Sequence, residues 1–523
     1  MACVAVALAS ASAMPGLAFN PVAQVDVGPN TRFAAGRLPA GGYLLVWQDT
    51  RRSDFRLTAQ RFNAAGRPTA PAKLLDVGAT HSLAVASVAV GDTGAWAVFW
   101  VQATDPDEVG IGAAFFDARD RLQQRMVYDD PIPDPGELII SYSPHGIALV
   151  GGGYVVAVEV GTQDDPTADP LQPTRTDVYV MKLDAAGRKV GDAVRLNETA
   201  QGFHRLTGVG GSRDHIVATW DSVPVQGQAS AVRARFLDGN LAPLGPEVHV
   251  AEPDGSPGGS WLAVGPDGRA LMVWEGTDTN PVGGPPGRGI RMRAFGPAGE
   301  PVGAEHAANP GTPGDHVAPD IALTAEGTVW VGWTTPGNLN PSGDGFESVL
   351  SLRPFDLAGD ALAGAQDVAQ AGFAVLTGGR GGALVTWRSG PGGSSVVGFV
   401  VGPAGGQSGP PSAPFAIEGA ELTDFRAWVR FSAASWGTPL EPCLAQALCA
   451  AGLLPTRAEV IVRVIGPSAN GFLWPQIVRF TTDQAEVWVQ RKASGEVRYY
   501  ALPAGDPGSE VLTGRVDRHG FKP

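Results

Sequence analysis

Acidic side chains crowd three short stretches of this 523-residue chain, and a hard cation is the chemistry they would serve. Asp105, Asp107 and Glu108 form one cluster, Asp129, Asp130 and Asp134 a second, and Asp164, Asp165 and Asp169 a third. Ca²⁺ takes roughly six to eight oxygen ligands in a flexible geometry, which closely spaced carboxylates and loop carbonyls provide. Asp105, Asp107, Asp164 and Asp165 are therefore the candidate metal ligands, with Ca²⁺ as the one candidate cofactor. No stretch has EF-hand spacing or the G-G-x-G-x-D repeat of calcium-binding solenoids, so plainly solvated loops are the competing reading.

Other reactive groups are sparse. His81, His204 and His316 recur at similar places in the chain without metal-triad spacing, and HExxH is absent. A G-x-S-x-G elbow, a Walker A loop and a G-x-G-x-x-G turn after a strand are all missing. Two carboxylates at the right separation would hydrolyse a glycosidic bond, yet nothing in the sequence selects a pair. No catalytic residue is assigned, and a non-enzymatic protein is expected.

The elements that position these groups announce themselves as a repeat. A Gly-rich turn followed by an apolar strand ending in Trp occurs at Trp47, Trp100, Trp220, Trp274, Trp333 and Trp387, with Val158 in the Trp place of the third copy. A strand, small turn and strand follow each copy, as in TAQRFNAAGRP near 60 and VMKLDAAGRKVG near 185. One unit thus holds four short strands, A to D, with the Trp on strand B. The two-residue alternation is that of half-buried strands. Seven such units predict an all-β, seven-bladed β-propeller of four-stranded antiparallel blades, whose closure removes exposed sheet edges. The Trp residues are expected to pack blade on blade. Asn63, Asp184 and Asp356 are expected in Asx turns, with the Arg of the RF pair in a local ion pair. Residues 19–27 read as a lone strand D that closes the ring, and residues 413–419 compete for that place.

Loop length separates the two faces of the disc. A–B and C–D turns read as short, whereas B–C and D–A loops such as 101–110, 128–137 and 161–176 read as long. Because B–C and D–A loops leave the same edge, one loop-rich face is expected to carry binding. A protein or glycan is the expected partner there.

Composition narrows the partners. The net charge is -14 and lysine is scarce, so a nucleic acid is excluded as a partner. No run of apolar residues is long enough for a transmembrane anchor. The start, MACVAVALASASA, resembles a signal segment without its basic region, which makes export to the periplasm, cell surface or exterior the expectation. Cys443 and Cys449 read either as one disulfide or as two buried thiols. The repeat stops near 418. Residues 1–19 are thus expected as a signal or unstructured segment, 20–418 as the propeller and 419–523 as a small, mainly-β domain. That domain is expected to hold one short helix within 439–454 and to contact a protein through Arg479, Arg491, Arg498 and Tyr499.

The segments GGYLLVW…TAQRFNAAGRP, GGALVTW and VMKLDAAGRKVGDAVRLN resemble a degenerate repeat of large secreted or surface-attached bacterial proteins. The resemblance covers about residues 20–418 and implies propeller blades; it carries over no binding residues. The Asp box S-x-D-x-G-x-T-W of sialidases and the A-x-D-x-x-T-G-x-x-x-W repeat of quinone-dependent dehydrogenases do not recur. The expected function is an exported binding or assembly protein. The alternatives are a polysaccharide hydrolase or lyase and an accessory subunit of a surface complex.

Overall fold

The computed structural model describes residues 17–403 except for the connections 28–31, 49–56, 78–83, 106–107, 129–137, 164–172, 224–229, 252–257, 279–286, 337–347, 371–373, 390–394 and a few shorter gaps, and beyond 403 it describes the strands alone. The first strand, β1 (Leu17–Asp26), stands apart from the blade that follows it. Blade 1 is β2 (Phe33–Arg37), β3 (Tyr43–Gln48), β4 (Leu57–Phe62) and β5 (Lys73–Leu74). Blade 2 is β6 (Ala84–Val90), β7 (Trp96–Asp105), β8 (Glu108–Phe116) and β9 (Leu122–Tyr128). Blade 3 is β10 (Leu138–Ala148), β11 (Tyr154–Gln163), β12 (Arg175–Leu183) and β13 (Val194–Arg195). Blade 4 is β14 (Phe203–Gly211), β15 (His215–Val223), β16 (Ala231–Asp238) and β17 (Val248–Ala251). Blade 5 is β18 (Gly258–Val264), β19 (Ala270–Thr277), β20 (Arg288–Phe295) and β21 (Pro301–Ala307). Blade 6 is β22 (Val317–Leu323), β23 (Val329–Thr335), β24 (Val349–Phe355) and β25 (Gln366–Gln370). Blade 7 is β26 (Ala374–Gly379), β27 (Gly382–Ser389) and β28 (Ser395–Pro403), completed by β1 on its outer edge.

Every pairing is antiparallel, and the first strands touch one another in order, with β26 returning to β2. The chain is therefore an all-β, seven-bladed propeller whose A strands surround the axis. The competition for the closing position is settled by β1, whose Leu17 lies opposite Pro403 and whose Asp26 lies opposite Ser395. Phe415–Ala416 (β29) pairs elsewhere, with Arg426 and Ala427.

Packing follows the alternation. Trp47, Trp100, Trp220, Trp274, Trp333 and Trp387 are all buried on the B strands, and Val158 is buried in the third blade. Each large ring fills the wedge between two twisted sheets, where apolar burial contributes about 25 cal/mol per Å². Fit is tight enough that a Cβ on Gly112 would meet the Trp100 ring. The C–D turns close as expected: Asn63 Oδ1 accepts from Arg67 N–H, Asp184 Oδ1 from Ala186 and Arg188, and Asp356 Oδ1 from Ala358 and Asp360. The RF arginine reaches further than its own turn. Arg61 grips Asp120 of blade 2 with both Nε and Nη2, at 2.9 and 2.6 Å.

Two expectations need correction. The stretch 101–110 is no long loop, because β7 and β8 run as one hairpin up to the Asp105–Glu108 pair. Val, Gln and Thr on one side and Val and Ile on the other favour extended pairing over a free loop. The second correction lies in the C-terminal part, which forms two five-stranded sheets. One holds β29, β30 (Phe425–Phe431), β31 (Ser435–Trp436), β36 (Ala485–Arg491) and β37 (Val497–Leu502). The other holds β32 (Thr438–Pro439), β33 (Leu448–Ala451), β34 (Val460–Ile465), β35 (Trp474–Arg479) and β38 (Arg515–Val516). Leu448–Ala451, expected within a helix, is instead a strand paired on both sides, with β32 and β34. Sheet pairing has overridden the helix preference of Leu and Ala, which is small per residue. Cys449 sits in this strand opposite Ile461, while Cys443 lies outside the described residues. The rest of the expected strands in 423–502 are present. β37 lies against β25 of blade 6, so the C-terminal part docks on the propeller rim.

Candidate functional site

The metal candidates do not form a described cluster. Asp105 ends β7, with its side chain outside the described set, and Asp107, Asp164 and Asp165 lie outside the described residues. Among the described residues no group of three His, Cys, Asp or Glu side chains is placed to hold a metal ion. Most long loops of the loop-rich face also fall outside the description. His81 does too. His204 and His316 are buried at the starts of their blades, and each places Nδ1 on a hydroxyl two residues past the Trp, Ser222 at 3.2 Å and Thr335 at 2.9 Å. Repeat symmetry, not convergence on one centre, explains these positions.

The acids that burial perturbs serve the seams between blades. The A strands of blades 2 to 6 each carry a register shift, which leaves backbone N–H groups out of the ladder. The residue after the Trp position on the preceding blade fills three of these gaps. Glu159 Oε2 accepts from Leu206 N–H at 3.0 Å, Asp221 Oδ2 from Gly259 N–H at 2.7 Å, and Glu275 Oε1 from Ala318 N–H at 2.6 Å. Asp221 Oδ1 also accepts from Ser260 Oγ at 2.8 Å. Burial pushes the carboxyls of Glu159 and Asp221 up, against the pull of these N–H groups and of Arg205. An unpaired buried N–H is costly, so these carboxylates act as latches.

The registers reveal a second set of residues around the axis. Opposite the residue that precedes the Trp position stand Ala34, Ser87, His145, Gly208, Trp261, Asp320 and Val375, one on each A strand. Four residues later in blades 1 to 6 comes the amide that closes the A–B turn, at Leu38, Gly91, Leu149, Ser212, Gly265 and Thr324. The seven positions therefore form one layer across the channel, at one depth. All are half-buried except Gly208, which is buried, whereas the Trp wedges of the B strands lie behind them in the core.

Three of the seven carry reactive or aromatic groups. The rings of His145 and Trp261, from blades 3 and 5, meet at 6.3 Å with an angle of 38°. Gly208 of blade 4 lies beneath this pair, where a Cβ would be in ordinary contact with the Trp261 ring at 3.6 Å and would press on Leu262 at 2.7 Å. Asp320 Oδ2 accepts from Leu376 N–H of blade 7 at 2.8 Å and Oδ1 from Ile321 N–H at 2.7 Å. Ser87 Oγ accepts from Gly146 N–H in the same manner at 2.8 Å. An innermost strand is a sheet edge, and its inward N–H groups need such acceptors. Burial pushes Asp320 up to about 7 and His145 down to about 4, because both lose water on the charged form. Near neutral pH the imidazole is thus uncharged and the carboxyl exchanges its proton.

Directly beyond this layer, toward the short A–B turns, lies a cavity of about 530 Å³. Its lining starts one residue past the layer, with Ala35 to Arg37, Val88 to Asp92 and Gly146 to Ala148, and is joined by Gly211, Leu323 and Thr377. That volume is in the range of small-molecule sites. At the pitch of a strand, the layer lies roughly 13 Å inside the short-turn face. The sequence reading missed it, having assigned binding to the opposite face.

No protein-family model and no curated protein matches this chain. Solved structures share the propeller at low identity. The β-propeller domain of Cps50 (Swd1) from Myceliophteria thermophila is 13% identical, with a TM-score of 0.38 over 73% of this chain and 99% of that one. A protein of unknown function from Dyadobacter fermentans is 11% identical, with a TM-score of 0.41 over 75% of this chain and 100% of that one. The α-L-arabinofuranosidase Arb93A of Fusarium graminearum, bound to an iminosugar inhibitor, is 11% identical, with a TM-score of 0.39 over 75% of this chain and 98% of that one.

Proposed function

We propose that this chain is an exported binding protein that takes its ligand in the axial channel, at the layer of His145, Trp261 and Asp320. One observation carries the reading: the layer assembles an indole, a neutral imidazole and a single carboxyl, with Ala34, Ser87, Gly208 and Val375 at the equivalent positions of the other blades. The cavity that begins one residue past the layer offers room, and the three larger residues give direction. Canonical glycoside hydrolysis uses two carboxyls about 5 to 9.5 Å apart, and Asp320 is the one carboxyl among the seven positions of the layer. A thermal-shift panel of small amines, polyols and monosaccharides tests the reading. It expects at least one class to raise the melting temperature of the wild type, and that rise to vanish in Trp261→Ala. A shift that survives Trp261→Ala would place binding elsewhere.

A hydrolase is the second reading, favoured by Asp320, whose carboxyl is held up to about 7 as a general acid requires. Release of reducing ends from an arabinan or other polysaccharide, lost in Asp320→Asn, would establish it in place of the first.

A further inference from the structure

We propose that the cavity beyond the axial layer binds a small organic carboxylate, with its charged end on the Arg37 guanidinium and its apolar body along the channel wall. This rests on the reading above in placing a ligand in the axial channel, and it names the ligand class. A second ring of equivalent positions carries it. Three residues past the layer, opposite the residue four before the Trp position, stand Arg37, Val90, Ala148, Gly211, Val264, Leu323 and Gly378. Six of these seven are apolar or glycine, so the packing of a blade does not call for a charge at this place. Arg37 is the exception, and it lines the cavity together with Val90, Ala148, Gly211 and Leu323 of the same ring.

Arg37 is half-buried and, among the described residues, forms no ion pair. The other two polar side chains of the lining are engaged. Asp92 Oδ2 accepts from Gly151 N–H at 3.2 Å, and Thr377 Oγ1 donates to Ala35 O at 3.5 Å. The rest of the wall is aliphatic side chains and glycine. A guanidinium offers a planar fork of N–H donors, which a carboxylate fills with two parallel hydrogen bonds. The aliphatic wall suits a hydrocarbon body and gives a polyol few partners. A singly charged acid fits better than a phosphate monoester, because Asp92 shares the lining and Glu326 lies near enough to act, with Arg37, on the buried Tyr43 hydroxyl. The net charge of -14 opposes an anion at a distance. That repulsion is screened beyond roughly 8 Å at physiological salt, which leaves the contact with Arg37 to decide.

Calorimetry with cyclohexanecarboxylate, against its neutral near-isostere cyclohexanecarboxamide, tests the proposal. Near neutral pH the wild type should bind the acid about ten-fold more tightly than the amide, as a charge-assisted pair implies; this arm needs no variant. Arg37→Gln should bring the acid down to the level of the amide and leave the amide unchanged, which shows the cavity intact. Arg37→Lys keeps the charge but loses the fork, and should retain part of the preference. Equal binding of acid and amide by the wild type, or a preference that survives Arg37→Gln, would overturn the carboxylate, and so would absence of binding by both. Trp261→Ala separates this proposal from the reading above. Acid binding lost in Arg37→Gln yet kept in Trp261→Ala would uphold the carboxylate at Arg37 and remove the layer. Acid binding lost in Trp261→Ala yet kept in Arg37→Gln would uphold the layer and overturn the carboxylate site.

Discussion

Blades 3 to 6 and the arc of blades 7 and 1 have the same four-strand plan, yet they are held together differently. In the first arc Glu159, Asp221 and Glu275 on the B strands clamp displaced amides of the next A strand. In the second, β2 and β26 pair without register shifts, the places after the Trp hold Gln48 and Arg388, and the joint is made by β1 laid on β28. The axial layer divides along the same line. His145, Trp261 and Asp320 belong to blades 3, 5 and 6, while blades 7 and 1 contribute Val375 and Ala34. Where the chain itself closes the ring, side chains can be small and apolar. The polar latches and the polar layer both lie in the arc where strands are bulged, consistent with bulges marking functional places in sheets.

The comparison can be broken most forcibly at a wedge. Trp220→Ala removes a buried ring from the seam of blades 3 and 4, and large-to-small changes of this kind cost about 3 to 5 kcal/mol. Chemical denaturation should show that loss. A cost below about 1 kcal/mol would mean that the wedge does not set the packing. A sharper cut compares equivalent positions of the two arcs. Asp221→Ala leaves Gly259 N–H without its acceptor and should cost about 1 to 3 kcal/mol. Gln48→Ala, at the same place in blade 1, should cost less than about 1 kcal/mol, near the ordinary range for a single substitution. Equal costs would erase the distinction between latched and chain-closed seams.

The smallest effect is a slope. Asp320 binds its proton more tightly folded, at about 7, than a free aspartate does near 4. Between these values the native state holds more protons than the unfolded one, so this group lowers stability as pH rises from about 4 to 7. Asp320→Asn should lack that component: the stability of wild type relative to the variant should fall across this window and level off above it. Melts at a series of pH values would show it, and parallel curves would contradict the burial assigned to the carboxyl.

Much of the architecture is legible in the chain. The Gly turn and apolar strand recur seven times, six of them ending in Trp, because every blade solves the same packing problem, and β1 is recognisable as a strand without its three predecessors. The turn acids Asn63, Asp184 and Asp356 are legible for the same reason, since an Asx turn depends on local geometry alone. The axial layer is harder to read, because its positions share no residue type. Their common trait is their place four residues before the amide that closes the A–B turn, visible once S-V-A-V-G at Ser87, W-L-A-V-G at Trp261 and D-I-A-L-T at Asp320 are stacked. His145 in H-G-I-A-L keeps the four-residue spacing to Leu149, but its Ala comes one place later than in these motifs. Leu448–Ala451 shows the converse, where local preference for helix yields to pairing with distant strands.

The central claim, that the axial layer receives a ligand, is tested most directly by the imidazole resonances of the protein, which has eight histidines. Titration with whichever compound shifts the melting temperature should move the His145 resonances saturably and leave those of His204 and His316 in place. Movement of His204 or His316 with His145 unchanged would put the ligand at the blade seams of the loop-rich face and contradict the account.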